Sequence, residues 1–191
     1  MKRALFLAVL LFSIRTLCSA QEPVPSTQSV MDQAFAQAGK THKKVLLLFH
    51  ASWCGWCKKM EASLNDAECK KMFDDNYVIT YLDVLESKEK ANLENPGSMD
   101  LLKQYKGEKA GLPFWVILDA GGKLLADSQI RPAGAGLDTP GANTGCPSAQ
   151  NEVAYFIQVL KATSRLKEAD LSVIEKRFLK NQPAATSFNN R

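Results

Sequence analysis

Two thiols stand out as groups able to do chemistry. Cys54 and Cys57 lie three apart in Trp53-Cys54-Gly55-Trp56-Cys57-Lys58. An apolar run over 45–49 reads as a strand buried on both faces, and a helical pattern over 57–64 follows the pair. Residues three apart at a helix start share a face, so the two sulfurs can close a disulfide. Unpaired N–H groups at that helix start favour a thiolate on Cys54, and a thiolate is the species that attacks a disulfide. Cys57, expected to lie deeper, would then resolve the mixed disulfide. Trp53 and Trp56 beside the pair suit an exposed contact surface.

Other uses of the pair fit less well. Zinc needs about two further ligands, yet His50 falls inside the strand, and Cys69 and Cys146 form no second close pair. Haem attachment needs a histidine after the second cysteine, where Lys58 stands. No metal and no cofactor is therefore expected. An inert structural disulfide is disfavoured by the flanking tryptophans. Cys69, between Glu68 and Lys70, is expected as a buried small apolar residue. Cys146, in a Gly/Pro-rich stretch, is expected to be exposed, and a structural bond between Cys69 and Cys146 is left open.

The elements that must position the pair follow from periodicity and punctuation. Helical spacing covers 30–39, and a helical piece over 67–74 has Asp66 as its cap. Residues 77–82 are β-branched and aromatic and read as a strand. Residues 86–97 are charged and looped or partly helical, and 98–105 read as a helix capped by Ser98. Residues 114–118 form another apolar strand, paired back through Gly121-Gly122 to 123–127. Residues 129–147 are rich in Gly, Pro and Ala and read as irregular. Helices are expected over 149–160 and 171–179, then a disordered tail over 181–191.

The chain has 191 residues, 46% hydrophobic and 23% charged, which suits one globular domain and excludes wholly disordered or fibrous classes. Lys2 and Arg3, a short apolar core and Cys18-Ser19-Ala20 make 1–20 an export signal. Residues 21–29 read as a flexible mature N-terminus and 30–180 as the domain. Three of the 24 bases lie in that leader, which holds no acid, so the rest nearly balances 20 acids. A near-neutral chain offers no footprint for nucleic acid. No apolar run reaches the roughly 18 residues that span a bilayer, so no stable membrane insertion is expected once the signal is cleaved.

At these residues the chain resembles the thioredoxin superfamily. Residues 53–58 match its W-C-G-x-C-K core. Gly111-Leu112-Pro113, just before the 114–118 strand, resembles its cis-proline loop, which faces the redox pair. The resemblance covers about 30–128 and is nearest to exported members, including the C-terminal domain of the transmembrane thiol–disulfide interchange protein. It implies a three-layer α/β/α fold with a central mixed sheet. It implies thiol–disulfide exchange, with Cys54 attacking, Cys57 resolving, and Trp53, Trp56, Leu112 and Pro113 lining the substrate surface. Leu48 stands where the superfamily carries a buried Asp, so Glu61, one helical turn after Cys57, is the candidate proton acceptor. The expected activity is that of a protein disulfide reductase, rather than an oxidase or isomerase, in a periplasm or secreted. Its expected partners are disulfide-bonded or thiol proteins and an unidentified redox donor. A thiol-protein binding or folding-assistance module, or a copper-delivery protein, is the alternative.

Overall fold

A computed structural model describes residues 23–183. The expected leader and residues 184–191 lie outside the described residues. The chain order is α1 (Thr27–Thr41), β1 (Lys44–His50), α2 (Gly55–Leu64), α3 (Lys70–Asn76) and β2 (Tyr77–Asp83). A 3-10 turn (Lys88–Leu93) and α4 (Ser98–Gln104) come next, then β3 (Phe114–Leu118), β4 (Leu124–Asp127), β5 (Gln129–Ile130) and β6 (Ala142–Asn143). Helices α5 (Gln150–Thr163) and α6 (Glu168–Leu179) complete it. Among the described residues no helix is long and apolar enough to cross a membrane.

The main sheet runs β2-β1-β3-β4, with β1 parallel to β2 and antiparallel to β3. This mixed sheet is the middle of three layers. Side chains alternate across a strand, so β1 feeds two cores. Leu46 and Leu48 join Trp115 and Ile117 under α2, α3, α5 and α6, where Met60, Phe73, Phe156 and Phe178 pack. Val45, Leu47 and Phe49 join Phe114 and Val116 under α1 and α4, against Met31, Ala34, Ala38 and Leu102. Phe156 is an aromatic hub, with ring centroids 4.8 Å from Phe178 and 5.3 Å from Trp115.

Several boundaries differ from the sequence reading, each for a local reason. Helix α1 starts at Thr27, inside the stretch expected to be flexible, because the Ser26 side chain accepts the Ser29 N–H and Pro25 O accepts the Asn95 amide. Asp66 Oδ1 caps only a turn through the Glu68 N–H, and its other oxygen pairs with Arg177, so α3 begins at Lys70. Ser98 does not cap α4. Gly97 holds the cap position at φ 88, and the Ser98 hydroxyl donates to Asp83 O instead. The expected disordered tail is ordered at its start. Asn181 is buried, and its amide donates to Ser63 Oγ and Cys146 Sγ.

The stretch expected to be irregular carries the short β5–β6 ribbon and a buried ion pair. Arg131 meets Asp127 through two bonds of 2.7 and 2.6 Å, with side chains 6% and 0% exposed. Arg131 also donates to the carbonyls of Gln129, Leu137 and Thr139, so one guanidinium organises the excursion. Removing it strands a buried carboxylate. Arg131→Ala is expected to destabilise the fold by about 3 kcal/mol, measured by urea unfolding. A loss under about 1 kcal/mol, the range of an exposed pair, would show that the excursion does not depend on it.

Candidate functional site

Strand β1 leaves the sheet at His50, and a turn closed by Cys54 N–H on Ala51 O aims the chain into α2. Cys54 is the N-cap of α2, in extended conformation, and its Sγ accepts the Cys57 N–H at 3.1 Å. The two cysteines form a disulfide with Cα atoms 5.3 Å apart. A backbone N–H aimed at Cys54 Sγ, at a helix start, supports negative charge on that sulfur. The expectation that Cys57 lies deeper is not met. In the oxidised pair Cys54 is 3% and Cys57 8% exposed, because Leu112 packs over both with Ala51.

The Leu112–Pro113 bond is cis. The N–H and C=O of Leu112 have no hydrogen-bond partner among the described residues. Trp53 and Trp56 are exposed, at 58% and 39%, on either side of Cys54. Lys59 Nζ sits 4.3 Å from the Trp56 ring centroid. Glu61 is exposed on α2, and its charge adds to burial in pushing the Tyr81 hydroxyl up to about 12. No acid lies under the pair on β1. Leu48 is flanked there by Tyr81 and Trp115.

The two other thiols stand apart from this chemistry. Cys69 and Cys146 are free, so no structural bond joins them. Cys146, expected to be exposed, is buried under the Asn181 amide, and burial pushes its thiol up to about 12. Burial also raises Cys69. Neither thiol is set up as a nucleophile. Among the described residues no group of three or more His, Cys, Asp or Glu could hold a metal ion.

The sequence reading missed the segment that braces the motif from the β2 side. Glu86 accepts the Ser52 N–H at 2.5 Å and the Ser52 hydroxyl at 2.8 Å. Lys90 donates to the same hydroxyl, and Glu94 accepts the Glu86 N–H. The Trp53 indole donates to Leu85 O at 2.8 Å. Leu85 stands at φ 56, a left-handed conformation that costs a leucine roughly 1–2 kcal/mol. It is also 39% exposed, which extends the apolar face of Trp53 and Trp56 around Cys54. No spacing rule points from Glu86 to Ser52, 34 positions earlier. Only the parallel pairing of β1 with β2, His50 opposite Asp83, brings the two loops together.

Comparison with known proteins agrees with this geometry. Residues 27–120 match the family described as thioredoxin-like. Thioredoxin of Geodia cydonium is 40% identical over 85 residues, 44% of this chain and 74% of that protein. The chain belongs to the thioredoxin-like family. Protein disulfide-isomerase A5 of Bos taurus is 34% identical over 91 residues, 46% of this chain. The match spans only 18% of that isomerase, and 16% of a Hordeum vulgare protein disulfide-isomerase. Among solved structures, a DsbH oxidoreductase aligns with a TM-score of 0.44 at 24% identity, covering 84% of this chain and 96% of that one.

The Glu86 brace makes a pH-dependent prediction. Partial burial raises the Glu86 carboxyl, but the Ser52 N–H and O–H outweigh it, helped by Lys90 and His50, and hold it below the ordinary 4.5. A depressed carboxyl stabilises the fold fully above its ordinary value and loses that stabilisation as pH falls through the folded value. The Tm deficit of Glu86→Gln is therefore expected to be largest near neutral pH and to shrink below pH 4.5. Thermal unfolding across pH checks it, and a deficit constant with pH would remove the carboxylate from the brace.

Proposed function

We propose that the protein is an exported thiol–disulfide oxidoreductase that reduces disulfides in other proteins. The observation that carries this is Cys54 Sγ at the start of α2, receiving the Cys57 N–H and lying beside the cis Leu112–Pro113 bond. The basic and apolar pattern of the first 20 residues supports export.

The chemistry runs in two balanced exchanges. The Cys54 thiolate attacks one sulfur of the substrate disulfide, forms a mixed disulfide and releases the first substrate thiolate. Cys57 then gives up its proton and attacks Cys54 Sγ, forming the internal disulfide and releasing the second thiolate. The substrate gains two electrons and the cysteine pair loses two. A dithiol donor protein must restore the reduced pair. Trp53, Trp56 and Leu85 offer apolar contact, and the unpaired backbone of Leu112, before Pro113, offers strand-like hydrogen bonds to the substrate chain. Glu61 is the acceptor proposed for the Cys57 proton, because β1 carries Leu48 rather than an acid at that place.

Two variants test the roles. Cys57→Ser is expected to stall at the mixed disulfide, so it carries bound proteins that dithiothreitol releases, whereas Cys54→Ser, Cys57→Ser carries none. Equal capture by both variants, insensitive to reductant, would replace the enzyme with a binding module. Glu61→Gln is expected to slow resolution by about tenfold, below the ~10²–10⁴ of an enclosed general base, while first attack stays within about twofold. Single-turnover kinetics separate the two steps, and unchanged resolution would hand the proton to water. The reduction potential of the pair decides direction, since about 30 mV corresponds to roughly 1.4 kcal/mol for this couple.

A further inference from the structure

The excursion between β4 and α5 builds a wall that the thioredoxin resemblance, ending near residue 128, does not supply. Asn143 fixes this wall to the proline loop. Its Nδ2 donates to the carbonyls of Ala110, Gly111 and Pro113 at 2.9, 3.2 and 3.2 Å. The Trp115 indole donates to Gly145 O at 3.0 Å, and Thr144 N–H to Ser128 O at 2.7 Å. Gly145, at φ 55, stands against Pro113. Between this wall and Trp56 lies a cleft of about 200 Å³ that shares Trp56 and Leu112 with the surroundings of the disulfide.

The cleft has two unused polar groups. Thr144 lines it and is 5% exposed, and its Oγ1 has no hydrogen-bond partner among the described residues. Buried hydroxyls are normally satisfied, so this one is open to a ligand's donor. Glu152, on α5, also lines the cleft. Its Oε2 takes the Ser148 N–H, the Ser148 hydroxyl and the Ala149 N–H, while Oε1 accepts nothing from the described residues. Glu152 is the only charged side chain among those that line the cleft.

We propose that this cleft is a specificity pocket for a lysine or arginine that flanks the disulfide in the substrate polypeptide. Trp56 and Leu112 take the aliphatic stem, as long basic side chains lie along apolar surface. Glu152 Oε1 and Thr144 Oγ1 accept hydrogen bonds from the charged head. The occupant belongs to the substrate because a chain joined to Cys54 passes Leu112 and Trp56. Cys146 adds no charge to the cleft, since burial keeps its thiol protonated at neutral pH. Lys59 acts on Cys146 but does not line the cleft.

The inference rests on Cys54 as the attacking thiol, and the test separates the two. Three disulfide peptides, identical except for Lys, Leu or Glu beside the cystine, are reduced by the full protein with dithiothreitol as donor. The Lys peptide is expected to exceed the Glu peptide in kcat/KM by about fivefold, the size of a partly exposed ion pair. Added salt should erode that ratio. In Glu152→Gln the Lys-to-Glu ratio is expected to fall close to one, and Thr144→Val should lower the Lys-to-Leu ratio. Equal rates for the three peptides, or a ratio unmoved by salt and by both variants, would overturn the pocket alone. Preference for the Glu peptide would put Lys59 in command of the cleft and overturn it as well. Failure to reduce any peptide would overturn the proposed function and the pocket with it.

Discussion

The structure depends on one constraint, a strand with no polar face. All five residues from Val45 to Phe49 are buried. Such a strand is stable only when both of its faces are covered and both of its edges are paired. That demand puts β1 at the centre of the sheet and recruits α1 and α4 on one side and α2, α3, α5 and α6 on the other. It also sets where chemistry can happen. The chain leaving a central strand emerges at the end of the sheet, and Cys54 is placed there as the N-cap of α2.

Four segments then converge on that end. The turn closed by Cys54 N–H on Ala51 O delivers Cys54, and the Leu85–Glu86 loop holds the turn through Ser52 and Trp53. The cis Leu112–Pro113 segment packs on the pair, and the Asn143–Cys146 loop is tied to that segment by a single amide. The attachments through Ser52, Trp53 and Asn143 use hydrogen bonds between residues far apart in the chain, and together with the Leu112 packing they hold the disulfide's surroundings in one arrangement. The exposed apolar side chains around Cys54 stay in water because these bonds fix the backbone that carries them. Leu85 shows this clearly. Its unfavourable backbone conformation persists because the Trp53 indole and the Glu86 clamp hold both sides of it.

Electrostatics at the site come from backbone and periphery rather than from a buried acid. Leu48 between Tyr81 and Trp115 leaves the floor under the pair apolar. Burial raises the Asp83 carboxyl despite His50 Nε2 at 3.2 Å, and the pair is half-buried at the end of β1 and β2. The strongest fixed charges near the excursion are Arg131 and Asp127. They are fully engaged with each other and serve the fold, as buried ion pairs do when every donor is satisfied.

Much of this was legible in the sequence because it is written in local pattern. The apolar runs gave the strands, and the Cys-x-x-Cys spacing gave the helix start and the redox pair, while the loop opposite, Gly111-Leu112-Pro113, was marked only by its resemblance to the superfamily's cis-proline loop. Periodicity works there because burial acts on neighbouring residues. What the tertiary structure decided was every feature made by residues far apart in the chain. Glu86 on Ser52, Asn143 on Ala110 and Pro113, and Asn181 on Ser63 and Cys146 are polar contacts across 34, 33, 30, 118 and 35 positions, with no periodicity to announce them. Cys146 is buried for the same reason. A Gly/Pro-rich stretch reads as exposed until Arg131 folds it back and Asn181 closes over it. The alternating pattern of a strand reports which face is covered, but only the folded chain reports what lies beyond its end.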